Sequence, residues 1–280
     1  MVTYRLMNGN DLLPLYECFL KAFADYQVDM QMSQELFEQR LVRDGVRLEI
    51  SPGAFDEAGQ MIGFYMNGLG TWQGKQTAYD AGTGVVPEYR GQSVAKDLFA
   101  FMAPRLQENS VSHYLLEVLS NNDRAVSLYR KLGFVETRML AVLRAAEIRA
   151  VGDVEGVAIG RIERADWTLF ESFWDGYPSW QNSIAAVERV VNQREMLGAF
   201  VNGTCVGYGV VFRPAGTLMQ LAVAREYRRR GIGSRLLSAL TADESLKVNN
   251  VDEKLEGTLA FFEANGFKVT MKQFEMVKIL

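Results

Sequence analysis

Residues Gly84–Phe99 read GVVPEYRGQSVAKDLF and residues Ala222–Leu237 read AVAREYRRRGIGSRLL, so one pattern occurs twice in the chain. Each stretch joins the end of an apolar strand to a basic turn with small residues, and then to an amphipathic helix. A helix that begins directly after a strand presents free backbone N–H groups and the positive end of its dipole, and small residues let an anion approach the main chain. The repeated turn therefore predicts an anion-binding cradle in each half.

The elements around the two turns follow the same order. In the first half, strands that include Arg47–Phe55 precede the strand Thr77–Val86, and a strand HYLLEV and the helix Asn122–Leu132 follow the turn. In the second half, a hairpin turn precedes the strand Leu218–Val223, and FFEANGF ends the last helix. Strands and helices that alternate around one parallel step predict an α/β fold, with a twisted mixed β-sheet flanked by helices in each half.

The length and composition fit two domains. A chain of 280 residues with 48% hydrophobic residues is long and apolar enough for two packed cores. The polar segment Ala145–Glu155, interrupted by Gly152, separates the two sets of elements. We therefore predict one domain over residues 1–145 and a second over residues 156–280.

Composition also excludes several classes of function. A formal net charge of −4 gives no basic surface for nucleic acid, and no segment approaches the ~18 apolar residues of a membrane span, so neither partner is expected. The N-terminus has no signal-peptide pattern, which predicts a cytoplasmic protein. His113 is the single histidine, so no metal site and no Ser-His-Asp triad are expected. Cys18 and Cys205 are expected to be reduced core thiols.

The first turn resembles a motif of the GNAT superfamily of acyl-CoA-dependent N-acyltransferases. The motif V-x-P-x-x-R/Q-x-x-G-x-G/A matches Val85, Pro87, Arg90 and Ala95, with Ser93 where the family usually has Gly. Ser93 keeps its backbone N–H, and its Cβ is costly only if the site requires a positive φ.

A second GNAT motif, N-x-x-A-x-x-L-Y-x-x-x-G-F, follows in the right order. Its six defined positions are matched in full by Asn122, Ala125, Leu128, Tyr129, Gly133 and Phe134. The second half keeps the Gly-Phe pair as Gly266 and Phe267, but Phe262 stands where the first half has Tyr129. The resemblance therefore spans nearly the whole chain as a tandem arrangement.

The resemblance and the cradles together imply acetyl-CoA as the cofactor. The cofactor-binding residues predicted in the first half are Thr83, Gly84, Val85, Arg90, Gly91, Gln92, Ser93, Val94, Ala95 and Asn122. Those predicted in the second half are Val223, Arg228, Arg229, Arg230, Gly231, Ile232 and Gly233.

The implied reaction is acetyl transfer to a primary amine of a small molecule or peptide, with catalysis in the first half. The amine must lose a proton, and Glu117 or Asp80 is a candidate base. The backbone N–H of Val85 is a candidate oxyanion donor, and the Tyr129 hydroxyl a candidate proton donor to the departing thiolate. Two alternatives stay open: catalysis in the second half, or a non-catalytic acyl-CoA-binding or sensing module.

The identity of the acceptor is the least defined feature. Asp25 and Asp29, in the segment Ala24–Met32, suit a cationic amine, although solvated helix ends explain them equally well. Tyr177–Trp180 is an aromatic loop at the corresponding place in the second half, and it fits a ligand wall and a packed turn equally.

Overall fold

The computed structural model describes residues 1–145, 147–149, 151–241 and 246–280. They divide into two compact units. The first comprises Met1–Val118, Asn122–Thr137 and Glu275–Leu280, and the second comprises Leu119–Asn121 and Arg138–Phe274.

The strands of the described residues, in chain order, are β1 (Thr3–Leu6), β2 (Pro52–Phe55), β3 (Met61–Trp72), β4 (Lys75–Val85), β5 (His113–Leu119), β6 (Val135–Ala145), β7 (Ala158–Arg161), β8 (Arg194–Val201), β9 (Thr204–Phe212), β10 (Thr217–Val223), β11 (Lys247–Asp252) and β12 (Phe267–Ile279). The α-helices are α1 (Leu12–Ala22), α2 (Gln34–Asp44), α3 (Val94–Glu108), α4 (Asp123–Lys131), α5 (Trp167–Glu171), α6 (Ile184–Arg189), α7 (Ile232–Thr241) and α8 (Glu256–Ala264).

The first unit is built on a mixed sheet. Strands β1 to β4 are antiparallel neighbours, and β4 pairs with β5 in parallel. Helices α1 and α3 bury apolar faces, which include Leu15 and Phe19 on α1 and Leu98 and Met102 on α3. Each helix therefore contributes an apolar stripe to the core, as an amphipathic helix must.

The second unit repeats this order. Strands β7 to β10 are antiparallel neighbours, β10 pairs with β11 in parallel, and β11 pairs with β6 in antiparallel. Leu236, Leu237 and Leu240 on α7 are fully buried. The predicted α/β class, with a mixed sheet and flanking helices in each half, is confirmed.

The compact units differ from the predicted domains at three places. Leu119–Asn121 and Arg138–Ala145 belong to the second unit, and Glu275–Leu280 belongs to the first. Hydrogen bonds explain the position of Glu275–Leu280, because Lys278 Nζ donates to the Leu132 carbonyl (2.7 Å) and the Thr137 hydroxyl donates to the Glu275 carbonyl (3.2 Å). As a place where the chain can be divided, the predicted linker Ala145–Glu155 stays a prediction, and two of its residues, 146 and 150, lie outside the described residues.

The predicted strand Arg47–Phe55 is shorter than expected. Leu48–Ile50 forms a 3₁₀ turn, and β2 begins only at Pro52. Proline has no N–H for the ladder and is accepted at the first residue of a strand, so Pro52 marks where the pairing starts. No helix within the described part of the chain is long and apolar enough to cross a membrane.

Candidate active site and second cleft

The first candidate site is a gap between β4 and β5. Their parallel pairing ends at Asp80 and Leu116, yet β4 continues to Val85 and β5 to Leu119. Beyond the last pair, the facing backbone edges of these two strands no longer bond to each other. The gap lies directly before the cradle turn, because α3 begins at Val94.

The backbone of Val85 points into this gap. Val86 N–H donates to the Ile62 carbonyl of the neighbouring strand (3.0 Å), and Val85 pairs opposite Gly63. Because N–H directions alternate along an antiparallel ladder, the Val85 N–H points away from β3 and toward the gap. This is the direction needed by the predicted oxyanion donor. The neighbouring Gly84 has a packing role, because a Cβ there would lie 2.6 Å from the Phe64 ring.

The first cradle contains two left-handed residues. Gly91 has φ 80° and Ser93 has φ 64°. Ser93 therefore occupies the conformation in which a Cβ is disfavoured, at a cost of ~1 kcal/mol or more. Val94 is buried, so it offers the cradle its backbone N–H rather than its side chain. Gln92 folds back on the turn, because its Nε2 donates to the Glu88 carbonyl (3.0 Å).

The basic residue of each cradle braces the turn from inside. Arg90 donates from Nε to the Val85 carbonyl (3.1 Å), from Nη2 to the Ala22 carbonyl (2.9 Å), and from both terminal nitrogens to Asp25. These contacts tie the turn to the end of α1. The nitrogens of the Arg90 guanidinium therefore already bond to protein acceptors. An anion in the cradle would be bound mainly by backbone N–H groups.

A cation that the motif does not mark lies beside the first cradle. A Cβ built on Gly91 would lie 4.0 Å from Nη2 of Arg124, in the first turn of α4. Ala95, at the start of α3, is only partly exposed. Arg124 stands at a variable position of the second motif, so only its place in the fold indicates a role.

Tyr129 belongs to a buried polar cluster at the gap. Its hydroxyl donates to Asp80 Oδ2 (3.3 Å), which also accepts from the Thr83 hydroxyl (2.6 Å), while Oδ1 accepts from Gly82 N–H (2.9 Å). Burial raises the pKa of Asp80 to about 6, although these hydrogen bonds oppose the shift. Burial, and then the charge of Asp80, raises the pKa of Tyr129 well above its usual value.

Glu117 lies on the opposite face of the sheet from Tyr129. Its carboxylate accepts a short hydrogen bond from the Tyr79 hydroxyl. Tyr79 and Asp80 are consecutive on β4, so their side chains point to opposite faces. Asp80, and not Glu117, is thus the candidate base that contacts Tyr129.

Asn122 caps α4 and meets the segment Ala24–Met32. Its Oδ1 accepts from Ala125 N–H (3.2 Å) at the start of the helix. Burial raises the pKa of Tyr26, and a hydrogen bond with the Asn122 side chain opposes the shift. The predicted acceptor-side segment therefore lies beside the open end of β5. Asp25, one of its two predicted carboxylates, is occupied by Arg90.

The second unit repeats the gap, the brace and the cradle. Pairing of β10 with β11 ends at Leu218 and Val248. Arg228 donates to the Val223 carbonyl (2.8 Å), the Phe173 carbonyl (2.7 Å) and Asp175 (2.9 Å), as Arg90 does in the first unit.

The remaining residues of the second cradle shape its backbone. Gly231 and Arg229 are left-handed, with φ 84° and 62°. Arg230 donates to the Glu226 carbonyl (2.9 Å), and Ile232 is buried. A Cβ on Gly233 would lie 3.1 Å from the Phe261 ring, so this glycine permits close packing.

Among the described residues of the second unit, the positions that match Asp80, Thr83 and Tyr129 hold no polar side chain. Val223 pairs opposite Gly207 in the second unit, as Val85 pairs opposite Gly63 in the first. A one-residue bulge precedes Val223 in β10, and another precedes Val85 in β4. From this register, Leu218 and Leu221 occupy the places of Asp80 and Thr83, and Phe262 that of Tyr129. Phe262 is buried and contacts Phe267, as Tyr129 contacts Phe134.

The second unit also contains a cavity of about 760 Å³, lined from the cradle to the aromatic loop. At one end Trp174 Nε1 donates to the Tyr208 hydroxyl (2.6 Å), which donates to Gln220 Oε1 (2.7 Å). Tyr177 lines the cavity, whereas Trp180 is buried in the core. One end of the aromatic loop thus lines the cavity, and the other end packs in the core. No sequence motif pointed to Tyr208 and Gln220.

Two family models match the chain. The acetyltransferase (GNAT) family matches residues 13–134, and the acetyltransferase (GNAT) domain matches residues 192–269. A mycothiol acetyltransferase of Paenarthrobacter aurescens (strain TC1) is 30% identical over 116 residues, which are 41% of this chain and 36% of that protein. The match thus spans about a third of that relative's length.

Solved structures share the fold along the whole chain. A GCN5-related N-acetyltransferase from Sphaerobacter thermophilus superposes with a TM-score of 0.76 at 16% identity, over 99% of this chain and 95% of that one. A tandem GNAT protein from the clavulanic acid biosynthesis pathway gives a TM-score of 0.74 at 14% identity, over 100% and 98% of the two chains.

Proposed function

Because the chain belongs to the GNAT family of acetyltransferases, with one copy of the family's fold in each half, we propose that it transfers an acetyl group from acetyl-CoA to a primary amine of a small molecule or peptide. We assign the chemistry to the first unit. One observation carries this assignment: Thr83 and the buried Asp80 and Tyr129 form a hydrogen-bonded cluster at the gap. The matching positions of the second unit hold the apolar side chains of Leu218, Leu221 and Phe262.

The first cradle fits the phosphates of acetyl-CoA. Asp97 N–H bonds to the Ser93 carbonyl, so the N–H groups of residues 94–96 precede the first bonded turn of α3 and are available to an anion. The left-handed Gly91 and Ser93 keep the turn open, and Arg124 supplies a cation beside it. When bound there, acetyl-CoA supplies the acetyl group as a reactive thioester.

Groups of this chain fill three roles in the transfer. The Val85 N–H stabilises negative charge on the carbonyl oxygen under attack. Glu117 takes a proton from the amine, with Asp80 as the second candidate base, and Tyr129 gives a proton to the departing sulfur. The hydrogen bond from Tyr129 to Asp80 is long, at 3.3 Å, so the hydroxyl can turn toward the gap at little cost.

The cavity of the second unit supports a second role. It adjoins a cradle and is large enough for a cofactor arm, but Leu218, Leu221 and Phe262 hold no proton donor or acceptor at the reacting end. We infer that this unit binds acyl-CoA without catalysing transfer.

Thiol release from acetyl-CoA with a panel of amines tests the proposed function. Ala95→Leu adds bulk at the start of α3 in the first cradle, and Ser234→Leu adds bulk at the start of α7, where Ser234 lines the cavity of the second unit. We expect Ala95→Leu to abolish amine-dependent thiol release and Ser234→Leu to preserve it while one equivalent of bound acetyl-CoA is lost. The opposite pattern would assign catalysis to the second unit, and binding without thiol release from any amine would indicate a sensing module.

A further inference from the structure

Helix α2 carries two arginines, Arg40 and Arg43, and among the described residues only Arg43 has a carboxylate as a hydrogen-bond partner. Arg43 is buried and bonds Asp44 through two parallel contacts, from Nε to Oδ1 (2.7 Å) and from Nη2 to Oδ2 (2.9 Å). This bidentate pair uses both carboxylate oxygens of Asp44. Arg40 lies about one helical turn earlier, and both Asp44 oxygens already accept hydrogen bonds from Arg43.

The guanidinium of Arg40 is poorly satisfied. Within residues 1–145, 147–149, 151–241 and 246–280 it makes one hydrogen bond, from Nη1 to Sδ of Met32 (3.3 Å), and no ion pair. A guanidinium has five N–H donors, and a thioether is a weak acceptor. Burial lowers the pKa of Arg40, the nearby charge of Arg43 lowers it further, and Asp44 opposes the shift. A partly buried cation without a carboxylate is costly unless a ligand completes it.

Arg40 lies on the acceptor side of the first unit. It interacts electrostatically with Tyr79, whose hydroxyl bonds Glu117, the first candidate base. Met32, its hydrogen-bond partner, closes the segment Ala24–Met32. That segment meets Asn122 at the open end of β5. Arg40 and Glu117 therefore occupy the same face of the sheet, opposite the face that holds Tyr129.

We propose that Arg40 binds a carboxylate of the acceptor, so that the acceptor is an amine that also carries a carboxylate, as amino acids and acidic peptides do. This proposal rests on the function assigned above to the first unit. Glu117 then receives the ammonium end while Arg40 holds the other end, which orients the amine toward the gap. Asp25, one of the two carboxylates that suggested a cationic acceptor, is already held by Arg90.

The surrounding charges favour a carboxylate over a phosphate monoester. Asp44 influences the pKa of both Arg40 and Arg43, and Glu117 influences that of Arg43, so both carboxylates lie in this region. A dianion would be repelled by these carboxylates more strongly than a monoanion. A single planar guanidinium also matches the two oxygens of one carboxylate.

Matched acceptor pairs test the proposal. Each amino acid is compared with its own carboxamide, which keeps the amine and removes the negative charge. We expect kcat/KM for the best amino acid to exceed that for its carboxamide at least tenfold in the wild-type protein. Arg40→Gln should remove this preference through KM, Arg40→Lys should keep part of it, and the exposed Arg47→Gln should leave it unchanged.

A second measurement uses the wild-type protein and so does not depend on the folding of a variant. Amino acids with acetylated amines cannot react, and we expect them to compete with the acceptor while their carboxamides do not. A carboxamide preference, an unchanged preference in Arg40→Gln, or equal competition by both inhibitors would overturn the proposal. Failure of every amine to release thiol would instead count against the proposed function, and direct binding of the acetylated amino acids would then decide the role of Arg40.

Discussion

Ser93 and Gly231 occupy equivalent positions in the two cradles, and both are left-handed, with φ 64° and 84°. Two residues earlier, glycine is in the first cradle instead of the second. There Gly91 corresponds to Arg229, and both are again left-handed, with φ 80° and 62°. Each cradle thus has two left-handed residues, and only one of these two is a glycine. The backbone conformation of the turn is preserved even where its preferred residue type is not.

Ser93→Gly should therefore stabilise the first unit. The substitution removes a Cβ from a left-handed residue, so we expect the free energy of unfolding to rise by about 1 kcal/mol. Denaturant titration measures the change. Ser127→Gly is the matched control, because Ser127 lies within α4 and the same exchange there should lower stability by a similar amount. Destabilisation by Ser93→Gly would show that the serine side chain contributes an interaction of its own.

Tyr129→Phe should lower turnover by about 10²–10⁴-fold while the Kd for acetyl-CoA changes little, since the ring still packs against Phe134 and only the proton is lost. Steady-state kinetics and equilibrium binding separate the two effects. Tyr4→Phe is the control, because the Tyr4 hydroxyl donates to Asp97 (3.3 Å) and to no member of the polar cluster that contains Tyr129. Full turnover of Tyr129→Phe with the best acceptor would make Tyr129 a packing residue.

Asp80 should make stability depend on pH. Its pKa is raised to about 6 in the folded state, above the ordinary value of about 3.8, so the folded state binds more protons between these values. The protonated Asp80 side chain therefore adds to the free energy of unfolding. This contribution is complete below pH ~4 and is lost as the pH rises through ~6. We expect Asp80→Asn to gain stability relative to wild type on going from pH 4.5 to pH 7.5, as measured by denaturant titration at each pH. A difference that is constant across this range would mean that Asp80 is not shifted.

The C-terminal residues should be needed by the first unit. A fragment of residues 1–145 lacks Glu275–Leu280, and with them the Lys278 bond to Leu132 and the Thr137 bond to Glu275. We expect this fragment to unfold at lower denaturant than the first unit does in the full chain. Limited proteolysis at Ala145–Glu155 followed by gel filtration is the complementary measurement, and we expect the N-terminal piece to retain the C-terminal strand. An equally stable isolated fragment would support the predicted domain of residues 1–145.

Much of the candidate site follows from local pattern. The turn at Arg90–Ala95 and the start of α3 were predictable because a strand, small residues and an amphipathic helix follow one another directly in the chain. The Asn122 cap was predictable for the same reason. The brace formed by Arg90 was not, because its partners Asp25 and Ala22 are 65 and 68 residues away in sequence.

The sequence by itself determined the α/β class, the two cradles and the replacement of Tyr129 by Phe262, because each depends on residue order within one short segment. Only the tertiary structure decided which groups meet. Alternation along β4 turns Asp80 toward Tyr129 and Tyr79 toward Glu117, so the two candidate bases lie on opposite faces of one sheet. That alternation is set by strand register and by the bulge beside Asp80, and register is fixed by pairing with residues that are distant in the chain.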